Sequence, residues 1–110
     1  MRDMRLNKLA KVLVNYSAQV KKGDFVFVSC EEVAAPWMAE VVREALAAGA
    51  HVETCLSSGE VGELKLALSS KEQLLEGSYL FETMLSRADV WLTAWGTRNT
   101  RSRSNIDPER

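Results

Sequence analysis

Glu31 and Glu32 are adjacent carboxylates that directly follow an apolar run, a pair that could supply a carboxylate for acid/base work or a metal. Adjacent side chains point in different directions, however. The pair also stands just before a helix start, where the positive end of the dipole stabilises negative charge. Helix-start electrostatics is the plainer role. Gly59 and Gly62 suggest a phosphate loop, but the Gly-x-Gly-x-x-Gly fingerprint and the Walker ending are both missing. The stretch also follows the second strand, whereas a dinucleotide fingerprint belongs after the first. His51 is the only histidine. A catalytic zinc takes about three protein ligands, and no His-Glu-x-x-His or Cys-x-x-Cys spacing is present. His51 begins a strand, at the end opposite to where an open parallel sheet binds ligands. Serine or cysteine nucleophile schemes fail for the same reason, because the one candidate base is on the wrong edge. No catalytic, cofactor-binding or metal-ligating residue is therefore assigned.

Cys30 and Cys55, the only cysteines, form no close-spaced pair, and each ends an apolar run. They read as buried free thiols of a cytoplasmic protein, with a disulfide between neighbouring strand ends as the alternative. Arg98, Arg101 and Arg103, interleaved with Asn99, Thr100, Ser102 and Ser104, make a basic polar stretch. Nucleic-acid binding wants a larger patch or interleaved aromatics, so a linker, or a surface docked on a second domain, is the expectation here. Net charge is −1, which gives no global field for nucleic acid or an anionic membrane. No apolar run approaches the roughly 18 residues of a membrane span, and the charged first 20 residues are not a signal peptide.

The elements that would position these residues follow from periodicity. Leu6, Leu9, Leu13, Tyr16 and Val20 recur at helical steps and predict a buried stripe, widened by Ala10, Val12 and Val14, with Asn7, Lys8, Lys11 and Asn15 on the wet face. Lys21-Lys22-Gly23-Asp24 stops that helix. Phe25 to Cys30 is an apolar run without alternation, the mark of a strand covered on both faces. Pro36 opens a second helix with Met38, Val41, Val42, Ala45 and Leu46 inward, and Gly49 closes it. His51 to Leu56 alternates partially, which predicts a less buried or edge strand. Ser57 to Gly62 reads as a loop. Helical pieces follow, with Leu64, Leu66, Ala67 and Leu68 in one, a capping box from Ser70 to Gln73 opening the next, and Leu80, Phe81, Met84 and Leu85 after Gly77.

Asp89 to Trp95 is the last predicted strand, with Trp91, Thr93 and Trp95 on one face and Val90, Leu92 and Ala94 on the other. The two tryptophans load one face heavily, so a partner chain or further domain is expected to cover part of it. The order α-β-α-β-α-β, with crossovers long enough for parallel pairing, predicts an α/β fold: a small three-layer unit with a mostly parallel sheet.

Residues 1–97 are expected to form one α/β domain and 98–110 a polar linker leading into a downstream domain. Asp107-Pro108-Glu109 reads as the opening of a helix, with a cap, a first-turn proline and a favourable charge. A polar tail whose Asp-Pro is only a turn is the alternative. A helix started there needs roughly ten further residues to be held, so the chain is expected to be the first part of a larger protein.

The ordered set Leu9-Ala10-Lys11-Val12-Leu13-Val14-Asn15-Tyr16-Ser17, Val20-Lys21-Lys22-Gly23-Asp24, Ala35-Pro36, Arg43 to Val52, Asn99-Thr100-Arg101 and Asn105 to Glu109 resembles the amino-terminal region of the thermophilic-type metallo-aminopeptidases. The departure lies at Ser57 to Phe81. The resemblance implies a parent hydrolase that removes amino-terminal residues from peptides. Its divalent metal pair (zinc, cobalt or magnesium), held by Glu, His and Asp side chains of a later domain, activates water and polarises the scissile carbonyl. None of those ligand positions has a counterpart in this chain. The resemblance also implies a homo-oligomer enclosing a cavity that this domain helps to wall, with peptide substrate and the downstream catalytic domain as partners. An independent small α/β interaction or ligand-binding module, or a nucleotide-binding half-domain, is the alternative.

Overall fold

A computed structural model of the chain describes residues 2–77, 79–94 and 96–98. Helix α1 (Met4–Val12) runs into a π-helical stretch, Leu13–Ser17, and Ala18 N–H donates to the Leu13 carbonyl at 2.8 Å. Strand β1 (Phe25–Glu31) is followed by a 3₁₀ turn, Glu32–Ala34, helix α2 (Ala35–Ala47) and strand β2 (His51–Ser57). Helices α3 (Gly59–Leu68), α4 (Lys71–Glu76) and α5 (Tyr79–Arg87) precede strands β3 (Val90–Thr93) and β4 (Gly96–Arg98).

The sheet order is β2-β1-β3-β4; β1 pairs in parallel with β2 and β3, and β4 is antiparallel to β3. The unalternating run Phe25 to Cys30 is thus central, as expected of a strand buried on both faces, and β2 is an edge with only Val52 and Cys55 half-buried. On one face Val26, Val28, Val90 and Leu92 pack with Ala10 and Val14 of the first helical segment and Met38 and Val41 of α2. On the other face Phe27 and Trp91 meet Phe81 of α5, with ring centroids 5.7 to 6.4 Å apart. Three layers result: α1 with α2, the sheet, and α5.

Turn chemistry is largely where the residues placed it. After α2, Gly49 takes φ +90°, its N–H donates to Leu46 O and that of Ala50 to Ala45 O. This double closure needs a left-handed residue at Gly49. Ser70 and Gln73 form the reciprocal capping box of α4.

Three expectations are corrected. The stripe of the first helical segment holds Ala10, Val14 and Val20 as expected, but Asn7, read as wet, and Ala18 are buried in it, while Leu9, Val12 and Tyr16 are exposed. Small residues allow α1 close to α2, and Asn7 is drawn inward by carboxylates there. The loop expected over Ser57 to Gly62 ends at Ser58, whose hydroxyl caps α3 by accepting from Val61 N–H. Strand β4 (Gly96–Arg98) is an addition to the expected order, and it takes in Arg98, the first residue of the stretch read as a polar linker. Trp95 and residues 99–110, with the expected linker and helix opening, lie outside the described residues.

Candidate functional site

The crossover from β1 goes to one side and the return from β2 passes over β1 to β3, so the strand order reverses between β1 and β3. In open α/β sheets ligands sit beyond the strand carboxyl ends at such a reversal. A cavity of about 190 Å³ lies there. Strand β1 contributes Ser29, Cys30 and Glu31, β2 contributes Cys55 and Ser57, and Thr93, Ala94 and Phe81 complete the wall. The indole Nε1 of Trp91 donates to Ser29 Oγ at 2.7 Å, which fixes that buried hydroxyl between the two central strands. Ser57 Oγ donates to the Cys30 carbonyl at 3.4 Å. Hydroxyls, thiols and one carboxylate share the lining with Phe81 and Ala94, a cavity of mixed polarity with room for a small molecule.

The sequence candidates separate. Glu31 lines the cavity and faces the first turn of α3: a Cβ on Gly59 would stand 3.4 Å from Glu31 Oε1. Its charge serves a helix start, although the helix is α3 and not α2. Glu32 is exposed and opens the 3₁₀ turn. Gly59 and Gly62 lie within α3, so no phosphate loop exists there. His51 is exposed at the amino end of β2, where its N–H donates to the Asp24 carbonyl. Cys30 and Cys55 are both free thiols. Burial pushes the Cys30 thiol up, and the neighbouring Cys55 adds to the effect. Arg98 lies in β4, opposite Trp91; Arg101 and Arg103 lie outside the described residues.

A second polar constellation escaped the sequence reading. Glu40, on the buried face of α2, accepts from Arg2 at 3.1 Å through both Nε and Nη2 and from Asn7 Nδ2 at 2.9 Å, with Arg43 at 3.5 Å. Asn7 also donates to Glu44, which pairs with Lys11 at 3.2 Å. The Arg2 and Asn7 hydrogen bonds, outweighing burial, lower the Glu40 carboxyl from 4.5 to about 2, and the same contact raises the Arg2 guanidinium. All the partners belong to α1, α2 and the residues before α1. The network is a clamp between α1 and α2 around the buried Glu40 carboxylate. The signal was Asn7 itself, three residues before Ala10 on the face the small residues mark.

Among the described residues no three His, Cys, Asp or Glu side chains gather in a way that could hold a metal ion. The donor set of the described residues does not fit a paired-metal centre. Nor is any helix among the described residues long and apolar enough to cross a membrane.

The described residues thus form a three-layer α/β unit with a cavity at the strand-order reversal. The chain belongs to the thermophilic metalloprotease (M29) family, whose model matches residues 2–110. Wild-type AmpT from Thermus thermophilus has the same fold over 96% of this chain, with a TM-score of 0.65 and 23% sequence identity. The chain spans 28% of the length of that protein. No curated protein sequence matches it.

Proposed function

We propose that this chain is the amino-terminal, non-catalytic unit of a metal-dependent aminopeptidase, and that it helps to wall the cavity in which peptide amino ends are held. The family match over residues 2–110 carries this reading. It is supported by the spacing of donors among the described residues: His51 stands at the amino end of β2, while Glu31, Cys30 and Cys55 stand at the carboxyl ends of their strands. The divalent metal pair of such an enzyme would be held by a downstream catalytic domain, and this chain would supply shape and surface. We further place the protein in the cytoplasm as a homo-oligomer; the two unpaired thiols on neighbouring strands support a reducing compartment.

Calorimetric titration tests the division of labour. Zinc or cobalt titrated into the 110-residue chain is expected to give no saturable binding, whereas the longest reading frame containing it takes up the metal. Stoichiometric tight binding to the 110 residues alone would refute the assignment. The cavity beside Ser29 favours a second reading, an independent small ligand-binding module. A reading frame ending at Arg110 would select it.

A further inference from the structure

Helix α3 is well specified at both ends. Ser58 caps its start, and the Ser70–Gln73 box opens the next helix directly after it. Yet no residue of α3 or α4 is buried. On α3, Val61, Leu64 and Leu68 fall at i, i+3 and i+7 and share one side. Leu66 lies on the opposite side of the same helix. Their exposures are 50, 51 and 77% for the first three and 70% for Leu66. Glu60, Glu63 and Lys65 stand between these two sides, and large apolar residues on opposite sides of one helix belong under cover. By contrast α2, a helix with one buried side, turns Met38, Val41 and Ala45 to the sheet. Leu75 of α4 and Tyr79 of α5 extend the exposed surface. Around it stand five glutamates (60, 63, 72, 76 and 82) against Lys65, Lys71 and Arg87, a net charge of −2 over residues 59–87.

We propose that α3 is enclosed on both its apolar sides by the remainder of a family-length polypeptide, in a trough with an apolar floor and a basic rim. This rests on the reading of the chain as one unit of a larger enzyme. Two observations favour that occupant over a second copy. A flat two-fold contact covers one side of a helix, and opposite sides need a concave body. More than two thirds of the related Thermus chain has no counterpart in this one, which is ample polypeptide for such a body. The acidic margin of α3 and α4 selects a basic rim.

Hydrogen exchange on the 110-residue chain and on the longest reading frame containing it tests the enclosure. The amides of residues 64–68 are expected to exchange roughly 100-fold more slowly in the longer protein. Leu66→Glu and Leu68→Glu, on opposite sides, should each leave the melting temperature of the 110-residue chain unchanged and lower that of the longer protein. An active longer protein in which α3 exchanges as fast as in the short chain would overturn the enclosure and leave the aminopeptidase reading intact. Sensitivity to only one of the two substitutions would overturn the two-sided trough. A dimer of the 110-residue chain that protects α3 by itself would assign the surface to a second copy and overturn the proposal. Failure to find a longer frame, or a longer protein without peptidase activity, would remove the reading beneath it.

Discussion

Single residues carry the sharpest consequences at the turns. Gly49 stands at φ +90°, and a Cβ there would lie 3.0 Å from Lys22 Cγ. Gly49→Ala is therefore expected to cost about 1 to 2 kcal/mol, read as a lower urea midpoint at unchanged slope. Gln19 is the converse case. It holds φ +53° without being glycine and its side chain is exposed. Gln19→Gly should raise stability by up to about 1 kcal/mol, and a loss of stability would show that the Gln19 side chain contributes something the geometry does not reveal. The thiols should differ as well. Cys30 is buried and its pKa is raised, while Cys55 is half-exposed. A maleimide at neutral pH should label Cys55 at least about tenfold faster than Cys30, as followed by peptide mass spectrometry.

At the scale of elements, the α1–α2 clamp ties stability to pH. The Glu40 carboxyl titrates at about 2 when folded against an ordinary 4.5. A lowered folded value means that its contribution is fully present above 4.5 and is lost as pH falls from there towards 2. The drop in urea midpoint from pH 6 to pH 3 should therefore be larger in the native chain than in Glu40→Gln; equal drops would show that the clamp does not couple to folding. Asn7→Ala, which removes a buried donor to the same carboxylate, should cost about 1 to 3 kcal/mol at neutral pH.

Much of this level was legible in the sequence. The unbroken apolar run of β1 announced a central strand, the partial alternation of β2 an edge, and Ser70 with Gln73 a helix start. The face of α1 was not legible. Its large residues, Leu9 and Tyr16, suggested the centre of the stripe, while close packing centred it on Ala10 and Val14, read only as its margin, and drew in Asn7 and Ala18. The three-residue strand β4 has too little pattern to announce itself. The strand-end rule pointed to the right edge for a cavity, but the Trp91–Ser29 contact that shapes it joins residues 62 positions apart and exists only once β1 and β3 pair.

At the scale of the whole molecule, the apolar load is unevenly distributed. One sheet face is sealed by α1 and α2 and the other carries the Phe27–Phe81–Trp91 cluster, while α3 and α4 bear exposed leucines. The edge strand β2 adds a row of backbone groups open to pairing. Through that open edge the isolated 110-residue chain is expected to self-associate as concentration rises, without slowing amide exchange in α3; a strict monomer at high concentration in light scattering would contradict this. The central claim, that this unit contributes to an aminopeptidase without performing its chemistry, meets its most direct test in leucyl-peptide hydrolysis. The assay is run with added cobalt, zinc or magnesium on the 110-residue chain and on the longest reading frame containing it. The account predicts metal-dependent release of leucine by the longer protein alone; metal-dependent release by the 110-residue chain would contradict it.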